Sequence, residues 1–141
     1  MATKSDFTEA EWAALHKGAT GSGMLVSLSD RDFTDTFGEV GSMAHYIAGQ
    51  ELAASSPLIR ELAHVHGAGF GITTPPDRVR TETMDALRTA IAALQQKSPD
   101  DVGPYRDFVL GIAQAVAEAK GGVKPVESEM IASIHAALGM S

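Results

Sequence analysis

Apolar residues recur every three or four positions along most of the chain, the spacing of one buried helical face, and no stretch alternates with period two for long enough to predict a strand. Thr8 stands three residues before Glu11, a pair whose side chains satisfy each other's free amides at a helix start. A first helix is therefore predicted from near Thr8, with Trp12, Leu15, Ala19, Met24, Leu25 and Leu28 inward. Gly18, Gly21 and Gly23 fall in this helix, where each costs about 1 kcal/mol relative to alanine. They predict that another helix passes close by or that this one bends. The acidic stretch from Asp30 to Asp35 breaks the period and offers caps for a second helix from about Asp35 to Ala54, with Phe37, Val40, Ala44, Ile47 and Leu52 inward.

Ser56-Pro57 is a cap and first-turn pair for a third helix reaching about Val65. The glycines between His66 and Gly71, followed by Thr73-Thr74-Pro75-Pro76, predict a connection at the middle of the chain. A long fourth helix fits Pro76 to Lys97, with Val79, Met84, Leu87, Ile91 and Leu94 inward and its Arg and Thr residues facing out. Ser98-Pro99 begins a capped turn that Gly103-Pro104 is expected to interrupt. Tyr105 to Lys120 then carries Phe108, Ile112, Ala115, Val116 and Ala119 on one face and ends at Gly121-Gly122. Pro125 opens the last helix, with Met130, Ile131, Ile134 and Leu138 inward and Gly139 as its stop.

The fold class expected is all-α, a compact bundle of about six helices in one domain over residues 1–141. At a constant offset of 90 residues, Leu15 to Gly49 echoes Tyr105 to Gly139: Gly21 falls on Gly111, Val26 on Val116, Glu39 on Glu129, His45 on His135 and Gly49 on Gly139. Two loosely related helical-hairpin halves are the expectation, with their turns in related places.

Composition narrows the function classes. The chain has 141 residues, 44% of them hydrophobic and 21% charged, enough apolar material for a globular core. Its formal charge of −7 repels phosphate backbones and anionic lipid heads, so nucleic-acid binding is not expected. No apolar run reaches the roughly 18 residues of a spanning helix and the first residues lack a secretion signal, so the expectation is a soluble, cytoplasmic protein without membrane insertion. With no cysteine, any chemistry falls to carboxylates, histidines, hydroxyls or a bound ion.

Ala115-Val-Ala-Glu-Ala-Lys-Gly-Gly-Val-Lys-Pro-Val-Glu127, followed by Met130-Ile-Ala-Ser-Ile-His-Ala-Ala-Leu-Gly139, resembles the tellurite-resistance TerB-like family, in which an alanine-rich helix leads through an Asp-Gly turn to a glutamate opening the next helix. Gly23-Met-Leu-Val-Ser-Leu-Ser-Asp-Arg-Asp-Phe33 is similar to a degenerate copy of this element. The two stretches cover about a quarter of the chain. The resemblance implies an all-helical domain of two related halves, a role in bacterial stress response, and acidic residues proposed to bind a divalent metal. In the second copy it places the turn glycine at Gly121 and the helix-opening glutamate at Glu127, with Lys120 where the family has aspartate. In the first copy Asp30 matches that aspartate, Arg31 replaces the glycine and Phe37 stands at the glutamate position.

Asp30, Asp32 and Asp35, with Glu39 one turn beyond, are the candidate ligands of a hard cation such as Ca²⁺ or Mg²⁺, which takes several oxygens. Glu127 and Glu129 would add carboxylates if the echoed turns lie together. The same residues equally suit helix capping and the helix dipole. His64 and His66 would lie about 200° apart on a helix, whereas His45 and His135 correspond in the echo and would suit a transition metal or an ordinary interface. Neither glycine cluster follows a strand, and no serine sits in a nucleophile elbow.

The leading expectation is a non-enzymatic, stress-associated binding module of the TerB-like type. A second is a protein-interaction module that docks a partner or a second copy on a helix face such as Arg78 to Lys97. A third is a small-molecule-binding or hydrolytic bundle with a pocket beneath His66 to Pro76.

Overall fold

The structure, a computed structural model, describes residues 4–29, 45–50, 56–64, 75–118 and 125–139. Among the described residues there are six α-helices and no strand: α1 (Glu9–Ser29), α2 (described over 45–50), α3 (Pro57–His64), α4 (Pro76–Lys97), α5 (Val102–Glu118) and α6 (Pro125–Ala137). Single turns of 3₁₀ helix cover Lys4–Asp6 and Pro99–Asp101. The protein is thus an all-α bundle. The acidic stretch with Asp30, Asp32, Asp35 and Glu39, and the turn with Lys120 and Gly121, lie outside the described residues.

The start of α1 forms as its residues dictate. The Thr8 amide donates to Glu11 Oε1 at 2.9 Å and the Glu11 amide donates to Thr8 Oγ1 at 3.1 Å. Phe7 and Trp12 flank the cap with ring centroids 6.5 Å apart, an apolar clasp that fixes the angle at which the chain enters the helix. Lys97, the last residue of α4, closes this corner: its ammonium pairs with Glu11 and lies 5.7 Å from the centre of the Phe7 ring.

Beyond this corner, in its middle turns, α1 has no solvent face. From Gly18 to Gly23 every residue is buried, because α4, α5 and α6 all pack against it. The prediction of one inward stripe is therefore corrected: α1 is the central column, and small residues let its neighbours close in on several sides. Two of its buried hydroxyls are satisfied within the helix, Thr20 Oγ1 donating to the His16 carbonyl at 3.0 Å and Ser22 Oγ to the Gly18 carbonyl at 2.7 Å.

The glycines mark the closest approaches. A methyl at Gly18 would lie 2.8 Å from the Tyr105 hydroxyl and 2.9 Å from Leu87 Cδ2. The open space there admits Tyr105, which is fully buried and donates its hydroxyl to the Leu15 carbonyl at 2.7 Å. Burial pushes the Tyr105 phenol far above its ordinary range, so it remains a donor at any physiological pH. A methyl at Gly21 would overlap Thr83 of α4. Thr83 is wholly buried, contrary to the outward position expected for the threonines of α4, whereas Thr81 and Thr89 do face solvent. The missing side chain at Gly21 creates the space that a β-branched residue of α4 fills.

In α4 the bounds agree with the sequence, and Val79, Leu87, Ile91 and Leu94 are buried as expected. In α3, Ser56 Oγ accepts the Ile59 amide at 3.4 Å and Pro57 takes the first turn. The expected break at Gly103-Pro104 does not occur, since α5 begins at Val102 and Pro104 falls in its first turn, where no amide needs an intrahelical partner. The tip of α6 ends on Gly139 at φ +77°, and Arg106 Nε of α5 donates to the Leu138 carbonyl at 2.9 Å. Tyr46 of α2 stacks on Phe108, ring centroids 6.5 Å apart, over the gap left by Gly111.

Three substitutions test this packing by urea denaturation at unchanged m. Gly21→Ala should lower stability by about 1–3 kcal/mol through overpacking, despite its better helix propensity. Thr83→Val should hold or raise stability, because the Thr83 hydroxyl is buried and makes no hydrogen bond. Gly49→Ala should gain about 0.5–1 kcal/mol, since nothing lies within 4 Å of its absent methyl. A Gly21→Ala protein as stable as the parent would contradict the close approach of α4.

Candidate functional site

The residues singled out as metal ligands separate as follows. Asp30, Asp32, Asp35 and Glu39 are outside the described residues, and Glu127 is described only as part of the α6 backbone. Glu129 is exposed on α6, and its carbonyl accepts Ser133 Oγ at 3.1 Å. Among the described residues no three His, Asp or Glu side chains are grouped so as to hold a metal ion. His45 is exposed and His135 half-buried in the last turn of α6. His66 and the glycine-rich connection also lie outside the described residues.

One polar cluster was not anticipated. Asp101, in the turn between α4 and α5, accepts Ser56 Oγ at 2.7 Å and Ser98 Oγ at 2.5 Å on its two oxygens. Ser56 also caps α3, so the carboxylate ties the start of α3 to the α4–α5 turn. With no imidazole among these partners, the cluster is a fastening rather than a nucleophile with its base.

An open groove of about 480 Å³ lies between α4 and α6. From α4 it takes Arg80, Thr81, Met84, Asp85 and Arg88, the near rows of one helix face. From α6 it takes Ser133, Ala136 and Ala137, whose small side chains leave the trough open. The Thr81 hydroxyl donates to the Asp77 carbonyl at 3.1 Å and Ser133 to that of Glu129, so both donors are committed to their own helices. Arg88 Nη1 is 3.4 Å from Asp85 Oδ1, and among the described residues Arg80 has no carboxylate partner.

On its other side α4 is anchored electrostatically. Glu82 accepts Lys17 Nζ of α1 at 3.1 Å and Arg78 Nε at 3.1 Å on opposite oxygens. The Lys17 hydrogen bond is the main cause holding the Glu82 carboxyl below its ordinary range. Glu11 is lowered as well, first by its hydrogen bond with Lys97 and then by the Thr8 amide. Lys17, Arg78 and Lys97 are thus committed to Glu82 and Glu11, which do not line the groove, whereas Arg80 and Arg88 do.

The second expectation named a helix face such as Arg78 to Lys97 for docking, and Arg80 and Arg88 of the groove lie in that stretch. The α6 side of the groove was not anticipated, because nothing in the pattern of Ser133, Ala136 and Ala137 says which neighbour they oppose. No protein-family model, no curated protein and no solved structure matches the chain. Among the described residues no helix is long and apolar enough to cross a membrane.

The lowered carboxyls set a pH dependence. A group with a folded value below its unfolded one contributes stability above the unfolded value and loses it as pH falls through the folded one. The Glu11 and Glu82 contributions should therefore be complete at neutral pH and vanish progressively below about pH 4.5. Lys17→Gln and Lys97→Gln should each move the midpoint of acid unfolding, followed by circular dichroism, to higher pH. Unchanged midpoints in both would contradict the assignment.

Proposed function

We propose that the protein is a non-enzymatic binding module of the TerB-like type, and that the groove between α4 and α6 is its docking face for a protein partner. The observation that carries this reading is the groove itself: an open trough with an apolar floor at Met84 and Ala137 and guanidinium groups at Arg80 and Arg88. Apolar contact with a charged rim is the general anatomy of a protein-docking surface. The all-helical bundle agrees with the fold that the resemblance implies. A role in stress response, and a divalent ion held by Asp30, Asp32, Asp35 and Glu39, rest on the sequence pattern alone. For the ion, millimolar Ca²⁺ or Mg²⁺ should raise the melting temperature of the parent but not of Asp30→Ala/Asp32→Ala.

Photocrosslinking in the native cell tests the docking face. A benzophenone amino acid at Ala136, in the groove, should give one discrete adduct. The same group at Gln95, exposed on α4 outside the groove, should give none. An adduct with the mass of two copies would identify self-association. Absence of an adduct at Ala136, or equal adducts at both positions, would overturn the reading.

A further inference from the structure

We infer that the occupant of this groove is an acidic amphipathic helix of a partner protein, which lays an apolar stripe on Met84 and Ala137 and presents carboxylates two turns apart to Arg80 and Arg88; the inference rests on the docking reading above. Arg80 and Arg88 are eight residues apart on α4, about 12 Å along the axis at 1.5 Å per residue, with Met84 midway between them. Acidic residues at i and i+7 or i+8 of a helix lying along the groove match that span, and the apolar positions between them fall over Met84.

Charge argues for the same partner. The chain carries −7 overall, yet the groove presents two arginines and only Asp85 against them. An acidic helix is attracted in the trough and repelled by acidic surface elsewhere, which fixes its place and register. A small anion is the weaker occupant. Its sites ordinarily enclose the ligand and orient it with several polar groups, whereas this trough is open and its two hydroxyls donate to their own helices.

Asp85 gives the inference a sign that a purely structural role would not produce. Its carboxylate sits against Arg88 and repels an incoming carboxylate, so removing its charge should strengthen binding.

The probe is a fluorescein-labelled helical peptide with a leucine stripe on an alanine background and two glutamates two turns apart, compared by fluorescence anisotropy with its glutamine and lysine counterparts. The glutamate peptide should bind the parent protein at least about tenfold more tightly than the glutamine peptide. Arg80→Glu should lose that preference, Asp85→Asn should increase it, and Arg80→Glu/Arg88→Glu should bind the lysine peptide instead. All of these positions are exposed, and melting curves of the variants verify their folding. Equal affinity for the glutamate and glutamine peptides, or no effect of Arg80→Glu, would overturn the inference. Displacement of the peptide by millimolar inorganic phosphate would overturn it in favour of a small anion. Failure of every peptide while the Ala136 adduct persists would overturn the acidic-helix partner and leave the docking face standing. Loss of the adduct would remove both.

Discussion

The hydrogen bond from Tyr105 to the Leu15 carbonyl is the constraint from which the rest of the bundle follows. It joins α5 to the middle of α1 inside a dry core, where an unpaired phenol would cost about 1–3 kcal/mol. It is reached only because Gly18 has no side chain. One turn further along, Gly21 performs the same service for Thr83 of α4. Glycines that weaken α1 as an isolated helix make it the column around which three others close. The loss of helix propensity, about 1 kcal/mol at each glycine, is set against aliphatic burial at residues such as Leu15, Leu87 and Ile112, at about 1.5–3 kcal/mol each.

The site inherits its geometry from this column. With Thr83 turned into α1 and Glu82 held by Lys17, the rotation of α4 about its own axis is fixed, and Arg80 and Arg88, on the side away from Glu82, face outward beside α6. The end of α6 is set by Gly139 and by Arg106 of α5, so both walls of the groove hang from core contacts rather than from loops. A docking face built on packed helices meets its partner already shaped, which spares the entropy of ordering it.

Much of this was legible where chemistry is local. Thr8 with Glu11, Ser56 with Pro57, and Gly139 act through their own backbone neighbours, and each element end they predict is present. The limits of α4 follow from proline at one side and Ser98-Pro99 at the other. What could not be read were matters of partnership. Thr83 lies within a helix whose other threonines face solvent, and its burial is decided by a glycine in α1. Pro104 read as a break because its tolerance depends on where α5 starts. The second wall of the groove consists of small residues whose spacing fits any helix contact, so its meaning appears only with α4 opposite. The acidic residues Asp30, Asp32, Asp35 and Glu39 were conspicuous in the sequence and lie outside the described residues, while Glu129, the counterpart of Glu39, stands on an exposed face of α6.

Native-state hydrogen exchange tests the central claim most directly, because it reads the stability of each segment separately. If α1 is the column of the bundle, the amides from Gly18 to Val26 should exchange only by global unfolding and be the slowest in the protein, despite the three glycines among them. Exchange of that stretch through a smaller, local opening, with α4 and α5 still protected, would contradict the account.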